Sequence, residues 1–355
     1  MKKRTLFSIA GAALMVGGVL WARSFAVPGY EGPASDHFDG KRFRNLEGTD
    51  HGFFAFLKWI TNREQGTWRD WIETSPGPAP PERAAPGRLR VTWVNHATLL
   101  VQLDGVNILT DPVWSDRVSP VSWAGPRRHR APGIRFEDLP PIDVVAVSHN
   151  HYDHMDVATL RRLVDAHKPV IFCGLGNGAF LEKEGVSGSR ELDWWDSVGI
   201  DGDVRLTSVP ARHFSARGPG DRDRALWTGF VFSGPGGSVY FAGDTGYGSH
   251  FAEIGERLGP IDVALLPIGA FRPRWFMSPV HIDPREAIEA HRDLGAHVTI
   301  PMHYGTFPLG DDGETEPVDV LRQALGATGE TGFEILEMGE SWESARTDRE
   351  ARRSR

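Results

Sequence analysis

The sequence predicts an α/β fold whose chemistry sits on turns leaving the carboxyl ends of strands. Three observations predict it. Strand-like and helix-like runs alternate through the middle of the chain. The β-branched run at 142–147 ends in Ser148-His149-Asn150-His151-Tyr152-Asp153-His154, and later strand-like runs each end in another histidine or aspartate. A rigid scaffold usually carries function on such loops. With 355 residues, 40% hydrophobic and 24% charged, the chain can bury a sizeable core, and one large domain with extensions fits the length as well as two domains do.

The turn after 142–147 places four metal-capable side chains within six positions. His149 and His151 can converge on one cation while Asp153 and His154 face a second, a two-metal layout. Imidazole and carboxylate without thiolate suit zinc, or otherwise manganese or iron. Histidines that merely cap a helix at the surface would not need this density of ligands. The pattern His-x-His-x-Asp-His resembles the signature of the metallo-β-lactamase fold superfamily. That resemblance implies an αββα sandwich, two packed mixed β-sheets flanked by helices, and three more ligands elsewhere.

Taken in order, Lys2, Lys3 and Arg4 precede an uncharged apolar stretch at 5–22, the form of an export signal or a single anchor, with residues 1–26 as the segment. The positive end should stay cytoplasmic, so the body is expected outside a bacterial inner membrane, periplasmic or extracellular. Residues 27–87 form an irregular arm with a short amphipathic helix at 53–60, closed by Pro76-Gly77-Pro78-Ala79-Pro80-Pro81. A lid, a membrane-facing extension and plain packing over the core all fit this arm. The hydrolase domain is expected at 88–342 and a disordered tail at 343–355.

Runs at 89–94, 98–103 and 107–109 open a sheet, with Asp104-Gly105 as a hairpin turn. Arg127, Arg128 and Arg130 follow in a loop that reads as a solvated face, with a phosphate contact as the alternative. Residues 157–167 read as a helix whose amino end points at the metal turn. Cys173 is the single cysteine, so an intrachain disulfide is excluded, and it reads as a buried strand thiol. Strands at 204–209, 238–242 and 298–302 are left by His213, Asp244 and His303. His213 would complete the first metal, Asp244 would bridge both, and His303 would complete the second. Each residue alone has an ordinary reading as a turn or strand-end group; their recurrence after strands is what argues for a site. Arg272 and Arg274 lie in an aromatic loop able to hold a lipid phosphate, and Pro284 starts a helix running to about Leu294.

A finer match covers most of residues 40–342 and resembles the N-acylphosphatidylethanolamine-hydrolysing phospholipase D family. It is carried by Phe241-Ala242-Gly243-Asp244-Thr245-Gly246-Tyr247, Pro267-Ile268-Gly269-Ala270, Pro273-Arg274-Trp275-Phe276-Met277, His281-Ile282-Asp283-Pro284 and His303-Tyr304-Gly305-Thr306-Phe307, besides the metal turn. The resemblance implies two zinc ions, one on His149, His151 and His213, the other on Asp153, His154 and His303, with Asp244 shared. It implies catalytic parts for Asp244, Asp153 and His281, the last beside the metals for phosphate contact or proton transfer. The implied reaction is hydrolysis of N-acylphosphatidylethanolamine-like lipids to N-acylethanolamine and phosphatidic acid at a membrane surface, with a homodimer left open. A smaller phosphoester, ester or lactone is the alternative substrate. A redox di-iron protein is disfavoured because such proteins resemble a motif with Glu at the position of His151. A surface-binding protein with a structural metal is disfavoured by a full ligand set with an open water position. The net charge of −8 argues against a nucleic-acid partner held by phosphate neutralisation.

Overall fold

In a computed structural model, residues 24–48 and 51–344 are described. Most of the apolar segment at 1–26 and of the tail at 343–355 lies outside them. Among the described residues no helix is long and apolar enough to cross a membrane.

Alternation builds the two sheets. Strands β1 (Leu89–Asn95), β2 (Thr98–Leu103), β3 (Val106–Thr110), β4 (Val144–Val147), β5 (Val170–Gly174) and β6 (Ser189–Leu192) belong to a seven-stranded sheet. Strands β7 (Ser197–Asp201), β8 (Val204–Val209), β9 (Gly229–Gly234), β10 (Gly237–Phe241), β11 (Val263–Pro267) and β12 (Val298–Met302) form a six-stranded one. A last strand, β13 (Ser341–Glu343), returns to the first sheet, giving the order β13-β1-β2-β3-β4-β5-β6; the second runs β12-β11-β10-β9-β8-β7. Val144 and Ala146 of β4 enter the core between the sheets with Val263 and Leu265 of β11, whereas Val145 and Val147 turn outward under helices. Ala264 and Leu266 likewise face the other way, into the core beneath the second helical layer. Period-two patterning that is apolar on both faces therefore yields an αββα sandwich.

The helices are α1 (Phe53–Thr61), α2 (Val157–His167), α3 (Gly178–Lys183), α4 (His250–Leu258), α5 (Arg274–Met277), α6 (Pro284–Asp293) and α7 (Glu316–Thr328). Helix α2 begins where Asp156 accepts from the Ala158 N–H, and ends at Lys168 in the left-handed region at φ 54°. Helix α6 has Pro284 in its first turn and a capping box between Asp283 and Glu286.

Strands β1, β3, β4 and β5 run the same way, as do β8, β10, β11 and β12. Their carboxyl ends meet along one rim, the usual place for ligands in such sheets. Buried acids in the 311–314 loop tie the arm over that rim. Asp311 accepts from Trp59 Nε1 (3.2 Å), Arg63 Nε (2.9 Å) and the Glu64 N–H (3.2 Å), and Glu314 accepts from Arg69.

Candidate metal centre

The rim gathers all seven of the histidines and aspartates named as metal ligands from the sequence. His149, His151, Asp153 and His154 leave β4, His213 follows β8, Asp244 follows β10, and His303 follows β12 at φ 64°. Gly243 permits the approach of the β10 turn: its φ is 61°, and a Cβ there would lie 2.5 Å from Ser148 Cβ.

Two clusters result. In the first, His151 Nδ1 lies 2.9 Å from His149 Nε2 and 3.2 Å from His213 Nε2. In the second, Asp153 Oδ2 lies 3.1 Å from His154 Nε2 and 3.4 Å from His303 Nε2. Asp244 sits between the clusters: Oδ2 is 3.1 Å from His154 Nε2 and 3.9 Å from His213 Nε2, while Oδ1 is 3.1 Å from His303 Nε2.

Partners outside the clusters fix which ring nitrogens face inward. His213 Nδ1 is 2.9 Å from the Val280 carbonyl, which can only accept, so its Nε2 turns a lone pair inward. The Ser148 hydroxyl donates to Asp111 Oδ2 (2.6 Å), so it accepts from His149 Nδ1 (2.9 Å) and frees His149 Nε2. Asp111 Oδ2 also receives His154 Nδ1 at 2.6 Å. Converging lone pairs repel one another unless a cation lies among them, and His154 Nε2, both nitrogens of His303 and Asp244 Oδ1 are buried without a hydrogen-bond partner. This donor set fits a metal, and carboxylate or carbonyl backing of imidazole is how metal-binding histidines are usually oriented.

The electrostatics agree. Burial holds His149, His151 and His213 well below the ordinary imidazole range, His151 at about 3. Burial also opposes charge on His154 and His303, but Asp244 and Asp153 outweigh it, raising both, His303 to about 9. Asp153 and Asp244 stay well below the usual carboxylate range despite burial, because His154 is beside them. Two carboxylates at the centre thus call for positive charge, supplied by protons or by a cation.

The β-lactamase superfamily domain matches residues 106–304. The N-acyl-phosphatidylethanolamine-hydrolyzing phospholipase D 1 of Caenorhabditis elegans is 41% identical over 271 residues, covering 72% of this chain and 76% of that protein. The chain belongs to the N-acylphosphatidylethanolamine-hydrolysing phospholipase D family, within the metallo-β-lactamase superfamily. It is a metal-dependent hydrolase. A metal-dependent hydrolase of Methanopyrus kandleri is 34% identical over 258 residues, covering 72% of this chain and all of that one. A solved metallo hydrolase from Ignicoccus hospitalis superposes with a TM-score of 0.55 at 25% identity, over 73% of this chain and 99% of that one.

Beside this family's rim residues lies a cavity of about 220 Å³, with His151, Asp153, Asp244, His281 and His303 at its polar base and Phe56, Trp59, Phe214 and Phe276 on its walls. His281 Nδ1 is buried, unpartnered and 3.8 Å from Asp244 Oδ2, and burial lowers the ring to about 4. Two sequence readings of the arginines need correction. Arg272 is engaged by Glu316, and Arg274 by Glu286 and the His281 carbonyl, because acidic groups of α6 and α7 reach them first. Arg128 is buried and spends its guanidinium on the Ser115, Val113 and Arg130 carbonyls. The cavity is lined by Arg222, stacked 4.1 Å from the Phe214 ring centroid and itself paired with Asp223 Oδ2 at 3.4 Å.

Sequence reasoning gave no role to four supporting groups. Asp111 follows β3 and backs His154; its position at a strand end was the available signal. Asn45 of the arm brackets His213, donating to its carbonyl (2.8 Å) and accepting its N–H (3.1 Å). Arg217 Nη1 ties the Asn150 carbonyl inside the metal turn to the Met155 carbonyl just after it (2.8 and 2.9 Å). His96, in the β1–β2 turn, contacts Asp153 Oδ2 at 3.0 Å.

Proposed function

We propose that this protein is a binuclear zinc phosphodiesterase of phospholipase D type, acting on N-acylphosphatidylethanolamine-like lipids and releasing N-acylethanolamine and phosphatidic acid. The observation that carries this reading is Asp244 placed between two ligand clusters at the floor of an apolar-walled cavity. His149, His151 and His213 would hold one cation, Asp153, His154 and His303 the other, and Asp244 would be shared. Manganese or iron would suit the same donors. Bound together, the cations supply a nucleophilic water near neutral pH and balance charge developing at phosphorus.

The protein's own residues do the rest. Asp244 orients the attacking oxygen, and the walls around Phe214 and Phe276 exclude bulk water. His281, held neutral by burial at the cavity edge, is placed to relay a proton, taking the one the attacking water gives up and passing it to the departing alkoxide.

A volume of about 220 Å³ cannot enclose a diacyl lipid, so only the scissile region enters and the chains remain in the membrane. Exposed apolar groups by the cavity fit that arrangement: Phe54 is 84% exposed, and Leu57, Ile60 and Trp275 are each more than 40% exposed. Export or anchoring by residues 1–26 would bring this face to the outer surface of the inner membrane.

The same small volume also favours the second reading, a soluble phosphoester, ester or lactone. Initial rates on N-acylphosphatidylethanolamine vesicles, a soluble phosphodiester and a lactone decide between them. Vesicle hydrolysis lost in Asp244→Asn and restored in chelated wild type by zinc is the expected result. Lactone turnover without vesicle turnover would replace the lipid reading, and undiminished activity in Asp244→Asn would remove the mechanism.

A further inference from the structure

His96 is a buried imidazole at φ 45°, a conformation that non-glycine residues adopt only when surroundings enforce it. Here both sides of its peptide are held by the His303 turn. Its N–H donates to Thr306 Oγ1 (3.2 Å), and its carbonyl accepts from the His303 N–H (3.0 Å) and Trp93 Nε1 (2.9 Å). The ring centroid lies 4.0 Å from that of His303 and 5.5 Å from that of His154. Its Nε2 faces Asp153 Oδ2 at 3.0 Å, whereas Nδ1 is buried with no partner.

A neutral ring has one N–H, and His96 Nε2 makes a hydrogen bond to a carboxylate that can only accept, so the proton belongs on Nε2; His303 Nε2, though near both carboxylates, makes no such hydrogen bond. With that proton directed at Asp153, His96 is a hydrogen-bond donor and has no lone pair for a cation on that side. The oxygen it holds is the one that faces His154 and His303. An aspartate has two equivalent oxygens on a freely turning carboxyl; a fixed donor decides which one the cation meets.

We propose that His96 is a positioning residue for the second cation, holding Asp153 Oδ2 toward His154 and His303 without itself coordinating. The assignment rests on the two-cation reading above. Its role is distinct from that of the seven ligands, because replacing the donor weakens one cation and leaves the first cluster intact.

The test is zinc titration of metal-free protein against a chromophoric chelator, for wild type, His96→Ala and His96→Gln. Far-UV circular dichroism and thermal melting of the metal-free forms would establish that each is folded. Wild type takes two equivalents; His96→Ala keeps the first at unchanged affinity and binds the second about 10- to 100-fold more weakly, the size of effect expected when an outer hydrogen bond is lost. His96→Gln, which keeps an N–H donor of similar reach, recovers most of that loss. Cobalt-substituted wild type and His96→Gln have matching visible spectra, as they must if no coordinating nitrogen has changed. Equal second-site affinity in wild type and His96→Ala overturns the proposal, as does a folded His96→Gln no better than alanine, or an altered cobalt spectrum. A wild type that binds fewer than two cations overturns the two-cation reading itself, and the His96 assignment with it.

Discussion

His303 shows how strongly single residues at the rim feel the central charge. Buried imidazoles normally lose their proton, yet Asp244 and Asp153 hold this one up to about 9. In metal-free protein this interaction contributes stability fully below 6.5, the ordinary value, and loses it as pH rises through about 9. A cation must displace that proton, and the one on His154, to reach Nε2. Zinc uptake near neutral pH is therefore expected to release protons, seen as a dependence of calorimetric heat on buffer ionisation enthalpy. Identical heats in all buffers would show the imidazoles already neutral. Residue by residue, the turn from His149 to His154 was legible because nothing structural requires such a density of ligands. His213, Asp244 and His303 were legible only as a recurrence. Asp111 and His96 were not, since Asp-Pro and Asn-His are common in turns and their importance lies in contacts to residues 43 and 57 positions away.

At the scale of elements, β2, β8, β12 and α2 lie at the bounds their periodicity predicts, because each is apolar toward a core on at least one face. The edge strands β6, β7 and β13 carry mixed or exposed side chains and left little pattern to read. Helix α1 was expected to be simply amphipathic. Instead Trp59 packs on Phe276, with ring centroids 5.0 Å apart, while Phe54, Phe56, Leu57 and Ile60 remain partly or largely exposed. Its attachment depends on Asp311, whose carboxylate gathers three donors from the arm. Asp311→Ala leaves the buried Trp59 Nε1 unmatched at roughly 1–3 kcal/mol and strips the less buried Arg63 and Glu64 donors of their partner. We expect faster proteolysis within residues 51–72 and unchanged zinc content, measured by limited digestion and metal analysis. Unchanged digestion would show the arm to be held by its aromatic contacts alone.

Across the whole molecule, the rim joins two halves. The seven-stranded sheet supplies His149, His151, Asp153 and His154, and the six-stranded sheet supplies His213, Asp244 and His303. A metal held by these groups would therefore link the sheets, and free-ligand linkage gives the scale: about 2.7 kcal/mol when the metal stands at 100 times its dissociation constant. Chelation should lower the melting temperature in wild type and much less in Asp244→Asn, as followed by differential scanning calorimetry. An equal fall in both would place the stabilising metal elsewhere.

That division of ligands constrains how the protein matures. A chain that has built only its first sheet displays four of the seven groups and can grip a stray ion only loosely, free to exchange it. Lasting retention of a metal waits until β8, β10 and β12 have docked, so tight binding reports a finished molecule, and half-made copies stay inert.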